Sequence, residues 1–165
     1  MAFDAFLKIG SISGESTDDA HKDWIEVLSY NMGISQTASG SASSGGGASS
    51  ERADFHDFSI VKALDKASPK LALYCAKGTH IDEVKLELCR AGGDKLKYME
   101  YKMGDCMITS VRPGGSSQGG EALPLEEISF NYGKIEWIYT QQKRAGGRGG
   151  GNVAAGWNLQ SNTEV

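Results

Sequence analysis

The stretch Ile128-Ser-Phe130-Asn-Tyr132-Gly133-Lys-Ile135-Glu-Trp137-Ile-Tyr139 decides the fold class. Apolar residues occupy the even positions Ile128, Phe130 and Tyr132, then the odd positions Ile135, Trp137 and Tyr139. Side chains of a strand alternate between faces, so the two sets would face opposite ways unless one residue is looped out between them. Gly133 is the residue that tolerates such a bulge, and bulges curve strands. The stretch therefore reads as one long, aromatic-rich, bent strand in a curved sheet with two surfaces to cover.

Working outward, strand patterns recur at Ala2 to Ile9, Trp24 to Ser35, about Asp54 to Leu64, Asp82 to Arg90 and Lys95 to about Arg112. The Lys95–Arg112 strand carries a second phase disturbance near Gly104. A short closing strand is expected near Trp157 to Leu159. In Trp24–Ser35 the even positions Leu28, Tyr30, Met32 and Ile34 form an expected core-facing row. The odd positions Ser29, Asn31, Gly33 and Ser35 are small and uncharged, an unusual outer face where solvent normally favours Lys and Glu. In Asp82–Arg90, Val84, Leu86 and Leu88 point one way and Glu83, Lys85 and Glu87 the other.

The one helical pattern runs from Pro69 to Lys77. Ser68 is the expected N-cap, Pro69 suits the first helical position, and Gly78 suits a left-handed C-terminal residue. Leu71, Ala72, Cys75 and Ala76 form its apolar stripe. From Thr37 to Ser50 every residue is Thr, Ala, Ser or Gly, which leaves no apolar surface to bury. This reads as a flexible loop capping a long hairpin, and Ala145 to Asn152 as a second, Gly-rich loop. The expectation is one all-β domain over 1–165, a compact β-barrel of two antiparallel sheets with one short α-helix.

Composition narrows the function classes. Against 17 basic residues stand 21 acidic ones, a net charge of −4, which argues against a dedicated nucleic-acid binder. No apolar run reaches the roughly 18 residues of a membrane-spanning helix, so no membrane insertion is expected. Met1 to Lys8 lacks a basic leader followed by an apolar region, so no Sec signal is expected. Cys75, Cys89 and Cys106 are odd in number and far apart, fitting reduced thiols of a protein folded in the cytoplasm rather than a disulfide framework or zinc motif.

No constellation of catalytic, cofactor-binding or metal-ligating residues emerges. His21, His56 and His80 lack triad or ligand spacing, and Asp18, Asp19 and Asp23 lack the calcium-loop pattern. Arg144 to Gly151 is Gly/Arg-rich but has neither the lysine nor the Ser/Thr of a phosphate loop. Glu126 and Glu127 are adjacent on a strand and face opposite ways, poor geometry for acid–base work.

Several motifs in order carry a resemblance. They are Gly14-Glu-Ser16 with His21 and Trp24-Ile25-Glu26-Val27-Leu28, Asp65-Lys-Ala-Ser68-Pro69, Gly78-Thr-His80-Ile-Asp-Glu-Val84, Ile128-Ser-Phe-Asn-Tyr132-Gly-Lys-Ile135, and Gly156-Trp157-Asn158. Together they span the chain, which resembles the haemolysin-coregulated protein (Hcp) family, the tube protein of bacterial type VI secretion systems. The resemblance implies a homo-hexameric ring with a wide lumen. It implies stacked rings expelled by a contractile sheath under a spike protein, and effector proteins carried in the lumen. Secretion by this route needs no Sec signal. On this reading Ser29, Asn31, Gly33 and Ser35 are candidates for a lumen wall facing cargo. Ser39, Ser41, Ser43, Gly45 and Gly47 lie in the loop expected to reach the neighbouring ring. The alternative from the residues alone is a monomeric β-barrel module binding a ligand or carbohydrate.

Overall fold

The computed structural model describes residues 2–36, 38–39, 49–50, 52–92, 95–118, 123–142 and 148–165. In chain order the elements are β1 (Phe3–Ile9), β2 (Ile25–Val27), β3 (Ser29–Asn31), β4 (Ile34–Ser35), β5 (Ala38–Ser39), β6 (Ser49–Ser50), β7 (Asp54–Phe55) and β8 (Phe58–Ala63). Helix α1 (Ser68–Lys77) follows, then β9 (Ile81–Arg90), β10 (Lys97–Gly114), β11 (Leu125–Asn131), β12 (Lys134–Gln142), β13 (Arg148–Asn158) and β14 (Thr163–Glu164).

The all-β class with one helix holds. A long antiparallel sheet runs β2–β1–β9–β10–β12–β13–β14, and a short one runs β3–β8–β11–β10. β10, 18 residues long, belongs to both: its first part pairs with β9 and β12 and its second with β11. The sheets also meet through β2 and β3, consecutive pieces of one segment bent at Leu28. Among the described residues the ladder itself does not close, so the expected barrel is two sheets around one core rather than a continuous ring of strands.

The opening stretch forms two strands, β11 and β12, that follow one another along β10. They keep one register as far as Ile108, where Met103 faces Ile135 and Ile108 faces Phe130, before a shift by one residue between Ile108 and Ser110. The change of phase between β11 and β12 is common to three neighbouring strands. Buried side chains step from Ile81 to Val84 on β9, from Cys106 to Met103 on β10 and from Tyr132 to Ile135 across the β11–β12 junction. Asp105, at the centre of this line, has φ of 51°, and the Gly133 N–H donates to the carbonyls of Gly104 and Asp105. A slip shared by three strands keeps the residues on either side of it, Ile81 and Val84, Cys106 and Met103, Tyr132 and Ile135, facing inward, while Tyr139 farther along β12 is exposed. The phase changes read from Gly133 and Gly104 are thus one structural feature.

The core gathers Leu7, Ile25, Phe58, Ile60, Leu71, Leu86, Met103, Ile128, Phe130 and Ile135. Phe58 and Phe130 stack with ring centroids 5.4 Å apart; each such burial stabilises by about 1.5–3 kcal/mol.

Four expectations need correction. In Trp24–Ser35 the buried residues are Ile25 and Val27, while Leu28 and Ile34 are 59% and 47% exposed; the segment changes sheets at Leu28, which breaks the alternation. Only Tyr30 and Met32 of the expected row pack on the core. Ser68 does not cap its helix: Ala67 holds that position and no side chain bonds there. Gly78 does close the helix in the left-handed region, with φ of 65°. The apolar stripe of α1 is Leu71, Tyr74 and Cys75, with Ala72 and Ala76 exposed. Within the expected loop at Ala145–Asn152, residues from Arg148 onward belong to β13, paired along β12.

Ser68 is instead part of a buried charged group. Lys62, wholly inaccessible, donates to Glu126 Oε2 at 2.8 Å and Ser68 Oγ at 3.2 Å, and lies 2.9 Å from Asp65 Oδ1. The Ser68 hydroxyl donates to Glu126 and accepts the Asp65 N–H. This group ties β8, β11 and the start of α1 together.

Candidate functional site

The short sheet turns one face inward, with Tyr30, Phe58, Ile60, Ile128, Phe130 and Ile108, and the other outward. Register fixes the outer face. Asn31 stands beside Ser59, Ser59 beside Ser129, and Ser129 beside Ser110. The next row runs Ser29, Val61, Glu127 and Arg112. The Ser59 and Ser129 hydroxyls lie 2.8 Å apart, so one donates to the other. At the rim the Thr109 hydroxyl donates to Asp57 Oδ2 at 2.7 Å. The face is a row of short hydroxyls and one amide, with one acid and one base placed opposite each other at the next row.

Of the four residues read from sequence as one face, Ser29 and Asn31 lie here and are exposed. Gly33 and Ser35 do not share the sheet. They sit beyond its end, at the two-stranded ribbon in which Ile34 faces Phe55 and Ser35 faces Asp54. Both meet His56: a Cβ at Gly33 would come 3.1 Å from its Nδ1, and the Ser35 hydroxyl is 3.4 Å from its Nε2. Alternation missed Ser59, Ser129 and Ser110, which are far away in sequence; only the register brings them beside Asn31.

Of the loop candidates, Ser39 falls in β5, whose backbone pairs with β6 as a hairpin arm. Ser41, Ser43, Gly45 and Gly47 lie outside the described residues, as do 145–147 of the Gly-rich segment.

The outer face of the long sheet is different in kind. Lys97 reaches Glu87 at 3.1 Å and Glu100 at 3.2 Å, and Lys85 lies 3.6 Å from Glu83 and Glu100. Glu87, read as an outward strand residue, is covered by the segment before β2. There His21 lies with Nε2 2.9 Å from Glu87 and Nδ1 2.7 Å from Asp18, stacked on Phe6 at 4.2 Å. The His21 hydrogen bond holds the Asp18 carboxyl below its usual range, against a smaller opposing effect of burial. Burial pulls the Lys97 ammonium down, but the bonds and charges of Glu87 and Glu100 outweigh it and leave its pKa raised.

Burial raises the thiol pKa of Cys89 to about 11 and that of Cys106 to about 12. Among the described residues no cluster of His, Cys, Asp or Glu could hold a metal ion, and no helix is long and apolar enough to cross a membrane. The site offers hydrogen-bonding surface and no activated nucleophile.

The family described as type VI secretion system effector, Hcp, matches residues 6–139. The chain belongs to the Hcp family. It is 37% identical to Protein hcp1 of Pseudomonas aeruginosa over 166 aligned residues, covering 100% of both chains. Among solved structures, one of a type six secretion system protein superposes with a TM-score of 0.93 at 33% identity, covering 99% of this chain and 100% of that one. Hcp1 of Salmonella typhimurium gives 0.79 at 32% identity, with 99% and 100% covered. A type VI secretion system effector of Yersinia pestis gives 0.74 at 34%, with 94% and 99% covered. As an Hcp protein the chain is a type VI secretion tube protein, from a family of structural rather than catalytic proteins.

Proposed function

We propose that this Hcp chain is the subunit of a homo-hexameric ring, that rings stack into the expelled inner tube, and that the outer face of the short sheet lines the lumen. The observation that carries this reading is the contrast between the two outer faces. The long sheet carries a lattice of ion pairs, while Asn31, Ser59, Ser129 and Ser110 form a row with no charge. A wall that must hold a passenger and release it is better served by short hydroxyls and amides than by fixed charges, whose desolvated pairs are slow to part.

The tube is assembled in the bacterial cytoplasm, inside a contractile sheath and behind a spike protein, and is then expelled from the cell. Effector proteins are its passengers. The 37–50 segment reaches the neighbouring ring, with Ser39, Ser41, Ser43, Gly45 and Gly47 in its contact.

Light scattering after size exclusion, with negative-stain images of the same peak, tests the assembly. A mass near six subunits in ring-shaped particles is expected; a stable monomer at every concentration would replace this reading with a ligand-binding module. Asn31→Trp tests the lumen: cargo co-purification is expected to fall while the ring persists. Loss of the ring in this variant would instead place Asn31 at a subunit contact.

A further inference from the structure

A cleft of about 780 Å³ lies beside β1 and β2. Its wall carries the carboxylates of Asp4, Asp18, Asp19 and Glu26 and one ammonium, Lys95. Lys95 is committed to Asp18, which is also bonded to His21. Asp4, Asp19 and Glu26 are in no ion pair among the described residues, and Asp19 and Glu26 are exposed. Two apolar side chains stand beside them, Phe3 at 41% and Leu28 at 59% exposure. The cleft is thus acidic with an apolar lip.

One surface elsewhere on the same chain has the complementary character. Lys66 stands in the turn just before α1. Lys70, Leu73 and Lys77 of the helix are spaced three and four residues apart, so they share one helical face. It is the face opposite Leu71 and Cys75, which pack inward. Leu73 is 51% exposed, and the three lysines are exposed with no ion pair among the described residues. The charges on the outer face of the long sheet are largely balanced within one copy; these two surfaces are not.

We propose that the cleft beside β1 and β2 is the socket for helix α1 of a neighbouring copy of this chain. The inference rests on the ring reading and gives that ring its joint. A closing head-to-tail ring needs two different, mutually complementary surfaces on every subunit. The socket is on β1 and β2, whereas α1 packs against β10, which β9 separates from β1 in the sheet, so one copy presents both at once. Asp19, Glu26 and Asp4 meet Lys66, Lys70 and Lys77, and Leu73 enters between Phe3 and Leu28. Leu28 directly precedes Ser29, so the joint adjoins the proposed lumen wall.

The test uses full-length chains carrying Asp19→Lys/Glu26→Lys or Lys70→Glu/Lys77→Glu, each confirmed folded by circular dichroism. Like-charge juxtaposition should raise the concentration for half-assembly of either variant by more than about tenfold. Mixed together, they should assemble again. Every joint of an alternating ring then pairs a basic socket with an acidic helix or an acidic socket with a basic helix. Only an even-numbered ring permits that alternation, so native mass spectrometry should show equal numbers of the two chains. If a reversed chain does not fold, Asp19→Asn/Glu26→Gln and Lys70→Gln/Lys77→Gln replace them, with weakened assembly of each expected. Rings of the parent that survive every variant would overturn the socket and leave the ring reading intact. Variants that fall apart and stay apart on mixing would also overturn it. A parent chain that never assembles would remove the ring reading, and the socket with it.

Discussion

Replacing Lys62 with methionine isolates the cost of one buried charge. Lys62 has no accessible surface, and its ammonium is the only cation within reach of Glu126 among the described residues. Glu126 is 4% exposed, so the Lys62→Met chain retains a buried carboxylate whose remaining bond is the Ser68 hydroxyl at 2.8 Å. Removing one member of such a pair destabilises by about 3–5 kcal/mol. For a domain of this size each kcal/mol moves the melting point by about 2–4 °C, so a drop of roughly 6–20 °C is expected. Thermal melts at one fixed protein concentration are the assay, because assembly couples to stability. Lys62→Met/Glu126→Leu, which removes both charges, should recover more than half of the loss. A drop below about 2 °C in the single variant, or no recovery in the double, would show that the penalty is not that of an unpaired charge.

Two further outcomes follow from the titrating groups. Asp18 has a folded-state pKa lowered from 3.8. Its contribution is therefore complete above the unfolded value and is lost as pH falls through the folded one. The melting point of Asp18→Asn should lie below that of the parent from pH 7 to about 4, and the gap should close below that; a gap that widens in acid would refute the sign. Cys89 and Cys106 are buried with thiol pKa values raised to about 11 and 12, so a thiolate-selective reagent at pH 8 should leave both unmodified in the folded chain. Intact mass should show at most one adduct, on half-buried Cys75; labelling of Cys89 or Cys106 before unfolding would contradict their burial.

Many strand positions were legible because β1, β9 and β11–β12 carry alternation strong enough to survive their neighbours, whereas their order in the sheets was not. The phase changes at Gly104 and Gly133 were legible for the same reason, since a slip in alternation is itself a local signal. The Trp24–Ser35 segment misled because its backbone leaves one sheet for another at Leu28, and no residue type marks that transfer. Burial of Glu87, Lys62 and Glu126 was invisible because it depends on partners 66, 64 and 58 positions away. β13 was read partly as loop because glycines carry little strand preference; its pairing comes from β12. Half of the candidate face was found, Ser29 and Asn31, and its other half needed the register of three strands.

The line through Ile81/Val84, Cys106/Met103 and Tyr132/Ile135 constrains how this chain can change over generations. Adding or removing one residue at Gly133 alone would turn Ile135 and Trp137 outward while β10 stayed in place. The same change at Gly104 would turn Met103 and Tyr101 against both neighbours at once. Only matched alterations in all three strands preserve the core. Three sites separated by dozens of residues therefore behave as one heritable unit, open to substitution one residue at a time and closed to single insertions.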